Sequence, residues 1–185
     1  MAATPSTMLP LGTELPAFSL PNVVDGTTVS SDAYRKSVAL VVMFICNHCP
    51  YVKHVLAEIG RVTEDYRRKG IAFVAISSND VAAYPEDRPD AMKELAVAQG
   101  WRFPYLYDEA QDVAKAFKAA CTPDLYVFDE ERKLVYRGQL DDSRPGNDIP
   151  PSGHDLRAAL DAIIAGKDIP APQKPSMGCN IKWKK

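Results

Sequence analysis

Polar and apolar positions along this chain follow two alternating rhythms, and the switches between them mark its elements. Val38 to Ile45 is an unbroken apolar run rich in β-branched residues, which predicts a strand buried on both faces. Residues 71–77 (IAFVAIS) read as a second such strand. Between them Val52, Val55, Leu56, Ile59, Val62 and Tyr66 recur at spacings of three and four, predicting a long helix from Cys49 to Lys69. Arg67, Arg68 and Lys69 suit its negative C-terminal end, and Gly70 suits its C-cap. Earlier, two short apolar pieces flank Asp25-Gly26 within residues 17–30, a hairpin signal.

Downstream, a loop with Pro85 and Pro89 leads into a helix with Met92, Leu95 and Ala96 on one face, closed by Gly100. A short strand over Phe103–Leu106 and a helix near 110–119 follow. Leu125–Phe128 and Leu134–Tyr136 flank a DEER turn and predict a second hairpin. The last helix carries Leu156, Leu160, Ile163 and Ile164 and stops at Gly166. Strands separated by helices imply a parallel core, and the late hairpin adds antiparallel strands. The expected architecture is α/β, a mixed central sheet flanked by helices. The predicted organisation is an N-terminal extension (1–11), one domain (12–166) and a proline-rich, extended C-terminal tail (167–185).

Composition narrows the function. The 185 residues carry 22 Lys+Arg against 24 Asp+Glu, a formal net charge of −2, without the basic footprint of a nucleic-acid binder. The longest apolar run is far too short to cross a bilayer, and the N-terminus shows no signal-peptide pattern. A cytoplasmic location, with no nucleic-acid or membrane partner, is therefore expected. In a reducing compartment the four cysteines, Cys46, Cys49, Cys121 and Cys179, read as free, catalytic or metal-binding rather than as structural bridges.

Cys46-Asn47-His48-Cys49 is a C-x-x-C at the junction of the buried strand and the long helix. The partial positive charge of a helix N-terminus stabilises a thiolate, and a second thiol one turn away can resolve a mixed disulfide. A protonated His48 between them would favour the thiolate further. Pro50, lacking an N–H, fits the first helical turn. Cys46, His48, Cys49 and Cys179 would alternatively serve a soft metal such as copper or zinc. Thr122-Pro123 precedes a strand, and Cys121 lies beside it, either as a redox thiol or as a small apolar packer. Cys179 sits in the tail as a resolving thiol or a bystander, with Ile181 and Trp183 clipping the tail down. Arg137 is a weak accessory candidate for an active-site anion, and His154 reads as a surface residue.

CNHC at the strand–helix junction with TP before a hairpin resembles the thioredoxin superfamily. The entry FSLPNVVDGTTVS resembles its redoxin branch, the alkyl hydroperoxide reductase/thiol-specific antioxidant group. CNHCPYVKH, CTPDLYVFD, YRGQLDD and GCNIKWK resemble the peroxiredoxin-like members of that branch, over residues 12–185. The resemblance implies a thioredoxin fold without a cofactor. Cys46 would be the attacking thiol, Cys49 the resolving one and Pro123 a cis-proline facing them, with Thr122 contacting substrate. A thiol–disulfide oxidoreductase is implied, its partners a disulfide-bearing protein or small-molecule thiol or peroxide and a cellular reductant (the thioredoxin or glutathione system). A thiol peroxidase is the alternative. Two departures stand out. The P-x-x-x-T/S-x-x-C frame of peroxidatic cysteines is absent, because Met43 and Ala39 precede Cys46, and Cys46 and Val42 precede Cys49, at those offsets. The buried acid that thioredoxins place before their active site has no counterpart between Asp32 and Cys46.

Overall fold

The computed structural model describes residues 3–185. Its centre is a five-stranded sheet whose strands lie in the order Tyr105–Tyr107, Ile71–Ser77, Ala39–Phe44, Asp124–Phe128 and Leu134–Gly138. β4 (Ala39–Phe44), β5 (Ile71–Ser77) and β6 (Tyr105–Tyr107) run parallel, whereas β8 (Asp124–Phe128) runs antiparallel to β4 and β9 (Leu134–Gly138) antiparallel to β8. All six residues of β4 are buried, as a central strand covered on both faces requires. Its side chains alternate, with Ala39, Val41 and Met43 facing one core and Leu40, Val42 and Phe44 the other.

The first core is built by α1 (Pro50–Arg67), α2 (Pro89–Ala98) and α4 (His154–Ile164), through Val52, Val55, Ile59, Met92, Leu156 and Leu160 among others. The second is closed by α3 (Asp112–Ala116), Phe117, Leu9, Phe18 and Ile181. The mixed sheet flanked by helices is thus as expected. The 110–119 helix is shorter than its pattern, with Phe117 as its C-cap and Lys118 at a φ of 51° ending it. Gly70, at a φ of +84°, turns the chain from α1 into β5.

The predicted early hairpin is β2 (Ser19–Pro21) paired with β3 (Thr28–Ser30). Sequence reasoning missed a second sheet. Its strands are β1 (Thr4–Pro5), β7 (Cys121–Thr122) and β10 (Met177–Asn180), with β10 in the middle and antiparallel to both. The tail is therefore a paired strand that links the N-terminal segment to the one preceding Pro123. Ile181 fastens it as expected and is buried in the second core, but Trp183 is 43% exposed and does not. The backbone continues the clasp, since Ile181 N–H donates to Ala120 O and Lys182 N–H to Asn79 Oδ1 (2.8 Å). Among the described residues no helix is long and apolar enough to cross a membrane.

Candidate active site

β4 and β5 are parallel neighbours, so their C-terminal ends lie side by side and the loops after them meet. The first of these loops is Cys46–Cys49, with Cys49 as the N-cap of α1 and Pro50 in its first turn. The second, residues 78–88, contributes Asn79, Tyr84 and Asp87. Against both stands Thr122-Pro123, whose peptide bond is cis as the resemblance implied.

The two thiols are held by one threonine. The Cys46 sulfur lies 3.4 Å from Thr122 Oγ1, and the Cys49 thiol donates to the Thr122 carbonyl at 3.2 Å. Thr122 thereby offers a hydroxyl to one sulfur and an acceptor to the other. Both cysteines are buried, as are Cys121 and Cys179, and all four are free thiols.

The acid absent from β4 arrives from elsewhere. Asp87 is fully buried and accepts four hydrogen bonds. Its Oδ1 takes the backbone N–H groups of Asn47 (2.8 Å) and His48 (3.1 Å). Its Oδ2 contacts His48 Nδ1 at 2.6 Å and accepts from Asn79 Nδ2 at 2.8 Å. The His48 ring stacks on Tyr84, with centroids 5.1 Å apart and an interplanar angle of 16°. Nothing in the sequence tied Asp87 to CNHC. It sits in a proline-flanked stretch, and only the parallel β4–β5 pairing brings it to the dithiol.

This geometry distributes the protons unequally. Cys49 is drawn down to about 4, chiefly by a hydrogen bond from Cys46 and further by Cys179, Thr122 and the Val52 N–H, against the cost of burial. Cys46 is pushed well up by the same bond to Cys49, by burial and by the Asp87 carboxylate. Cys49 is thus the more acidic thiol of the pair and Cys46 the less acidic.

Cys179 lies in register with Thr122 across the β10–β7 pair, in one buried cluster with Cys46 and Cys49, and burial pushes its thiol up to about 12. Cys121 is adjacent but turned away, with its sulfur 3.7 Å from the Pro123 carbonyl oxygen. Burial holds it strongly protonated. Arg137 does not reach the thiols; it binds Leu9 O (2.9 Å) and Gln173 Oε1 (2.6 Å), tying the two ends of the chain to β9. His154 is on the surface, at the start of α4. A depression of about 690 Å³ lies around Asp129–Glu131, at the end of β8 away from the thiols. Cys46, His48 and Asp87 each bring one ligand-type atom within 4.8 Å of the others.

A family model described as AhpC/TSA matches residues 11–137. A crystal structure of an uncharacterized conserved protein from Geobacillus kaustophilus is 58% identical, covers 100% of this chain and 97% of that one, and superposes with a TM-score of 0.98. "Putative peroxiredoxin Rv2521" of Mycobacterium tuberculosis is 28% identical over 144 residues, 71% of this chain and 86% of that protein. The thioredoxin domain of a thiol-disulfide oxidoreductase from Bacteroides vulgatus, 17% identical, covers 70% of this chain and 88% of that one at a TM-score of 0.60, a likeness of fold. The fold is that of thioredoxin, and the dithiol sits at the carboxyl end of its central strand. The chain belongs to the AhpC/TSA family, a redoxin family of the thioredoxin superfamily.

Proposed function

We propose that the protein is a thiol–disulfide oxidoreductase working through Cys46 and Cys49. The observation that carries this reading is the placement of both sulfurs on Thr122, with a donor at one and an acceptor at the other. Once the pair has lost one proton, the Cys46 thiol donates to the Cys49 thiolate. Passing that proton to Cys49 leaves a thiolate at Cys46, where the Thr122 hydroxyl stabilises it, while the new Cys49 S–H donates to the Thr122 carbonyl. Cys46 then attacks one sulfur of a substrate disulfide and the other sulfur leaves as a thiolate. Cys49, which gives up its proton readily, attacks Cys46 in the mixed disulfide. The second substrate sulfur departs as a thiol and the Cys46–Cys49 bond forms.

Asp87 and His48 are positioning residues here. Asp87 fixes the loop between the two cysteines by holding its N–H groups, and it orients the His48 ring. Cys46 is 1% exposed, so the loop around it opens when substrate arrives. Peroxide chemistry fits less well. Cys46 faces a carboxylate where a peroxidatic thiolate calls for a cation. Disulfide exchange with a protein disulfide should therefore saturate with substrate and disappear in Cys46→Ser. Saturable peroxide consumption that survives without any disulfide exchange would overturn the reading.

A soft-metal site is the second reading, favoured by one observation. His48 Nε2 is buried with no partner while Nδ1 rests on a carboxylate, the orientation used by metal-ligating histidines. Zinc or copper titrated into reduced protein should show no tight stoichiometric binding if the dithiol reading holds. Stoichiometric binding abolished by Cys46→Ser and by His48→Ala would favour the metal.

A further inference from the structure

We propose that Cys179 is a third redox thiol of this site, which attacks Cys49 of the Cys46–Cys49 disulfide and forms a Cys49–Cys179 disulfide. The proposal rests on the dithiol reading above and extends it to the C-terminal strand.

The strand is built to bring this sulfur in. Cys179 lies directly opposite Thr122 in the antiparallel β10–β7 pair, and the Thr122 carbonyl is the atom to which Cys49 donates. Cys46, Cys49 and Cys179 belong to one buried cluster. The preceding residue is glycine for a steric reason. A Cβ on Gly178 would sit 1.9 Å from Thr122 O and 3.2 Å from Pro123 N. Only a residue without a side chain lets β10 lie this close to the segment that organises the dithiol.

The rest of the tail holds it there. Lys182 N–H donates to Asn79 Oδ1, and Asp80 N–H and Gln111 Nε2 donate to Lys182 O, each at 2.8 Å. Asn79 is also a donor to Asp87, so one side chain couples the tail to the support of the dithiol loop. Cys121 does not compete, because its sulfur points to the Pro123 carbonyl.

The exchange balances without a further oxidant. The Cys179 thiol gives up its proton, and its sulfur electron pair forms the bond to Cys49 Sγ. The Cys46–Cys49 bond breaks with its electron pair going to Cys46, which takes a proton. One disulfide replaces another, and the oxidising equivalent is the one already taken from substrate. The outcome is a free Cys46 and a tail covalently fixed to the start of α1.

The test uses the full chain in a series of glutathione buffers, with acid quench, alkylation and peptide mapping without reduction. The wild type should show both Cys46–Cys49 and Cys49–Cys179 linkages. Cys46→Ser and Cys46→Ala, in which the first linkage is impossible, should each be crosslinked between Cys49 and Cys179. The proposal is overturned if the wild type forms only Cys46–Cys49 while both variants carry glutathione on Cys49 and an alkylated Cys179. Absence of any Cys46–Cys49 linkage in the wild type would instead remove the dithiol reading itself, and this proposal with it.

Discussion

The Asp87 carboxylate and the His48 imidazole meet at 2.6 Å, and the same carboxylate accepts the backbone N–H groups of Asn47 and His48. A single buried side chain from the loop after β5 thus fixes the loop that carries both thiols. An asparagine in its place keeps one acceptor oxygen but turns N–H groups toward donors. Asp87→Asn should destabilise the reduced protein by on the order of 3 kcal/mol, the scale of losing charge-assisted bonds to a buried group. It should also lower the proton affinity of Cys46, because Asp87 raises it. Denaturant unfolding and alkylation rates across pH measure the two effects. Unfolding unchanged within experimental error would contradict the anchoring role.

Thiolate absorbance of the reduced protein should report a first ionisation well below the usual thiol range, from Cys49, and no second one from Cys46 until strongly alkaline pH. The largest cause of the low value is the Cys46 donor, so Cys46→Ala should raise the midpoint. Cys46→Ser, which keeps a hydroxyl donor, should raise it less. A reduced wild type with no thiolate below neutral pH would refute this distribution of protons.

Asp124, next to Pro123, is fully buried, and burial lifts its carboxyl from 3.8 to about 6. Its folded value lies above its unfolded one, so the native state binds more protons between these pH values. Stability from this group is therefore lost as pH rises through that window. Asp124→Asn should gain stability relative to wild type across the same interval, by up to about 3 kcal/mol at 1.36 kcal/mol per pKa unit. Parallel pH–stability curves for the two proteins would contradict it.

Gly178→Ala places a methyl group against the Thr122 backbone, which has no flexible end to give way. The variant should lose about 2 kcal/mol or more, at the upper part of the overpacking range. Its more telling effect is local. β10 should detach from β7, and alkylation of Cys179 should accelerate well beyond that of Cys121. Equal protection of Cys179 in both proteins would show that the strand tolerates the methyl group.

Much of this arrangement was legible in the residues. The unbroken run of β4, the three-and-four spacing of α1 and the CNHC between them placed the dithiol at a strand–helix junction, because those signals are local. What escaped was non-local. Asp87 reaches the site through strand pairing across some forty positions, and no periodicity encodes that. β10 was hidden because MGCN is too short to show alternation and follows a proline-rich segment that reads as loop. Gly178 carried a signal, a glycine directly before a cysteine, whose meaning depends on the Thr122 carbonyl facing it. Arg137 was misread because a strand-end arginine looks the same in sequence whether it faces a ligand or the chain's own termini.

The central claim is that Cys46 and Cys49 form a reversible redox pair. Its most direct test is equilibration of the wild-type protein in glutathione buffers from reducing to oxidising, with mass-spectrometric counting of alkylated thiols. The account predicts a single two-electron transition in which Cys49 loses alkylation together with Cys46, a share of it with Cys179 in place of Cys46, and all of it is regained on return to reducing buffer. Cys46 and Cys49 alkylated throughout, or glutathione carried on Cys46 with Cys49 still free, would contradict it.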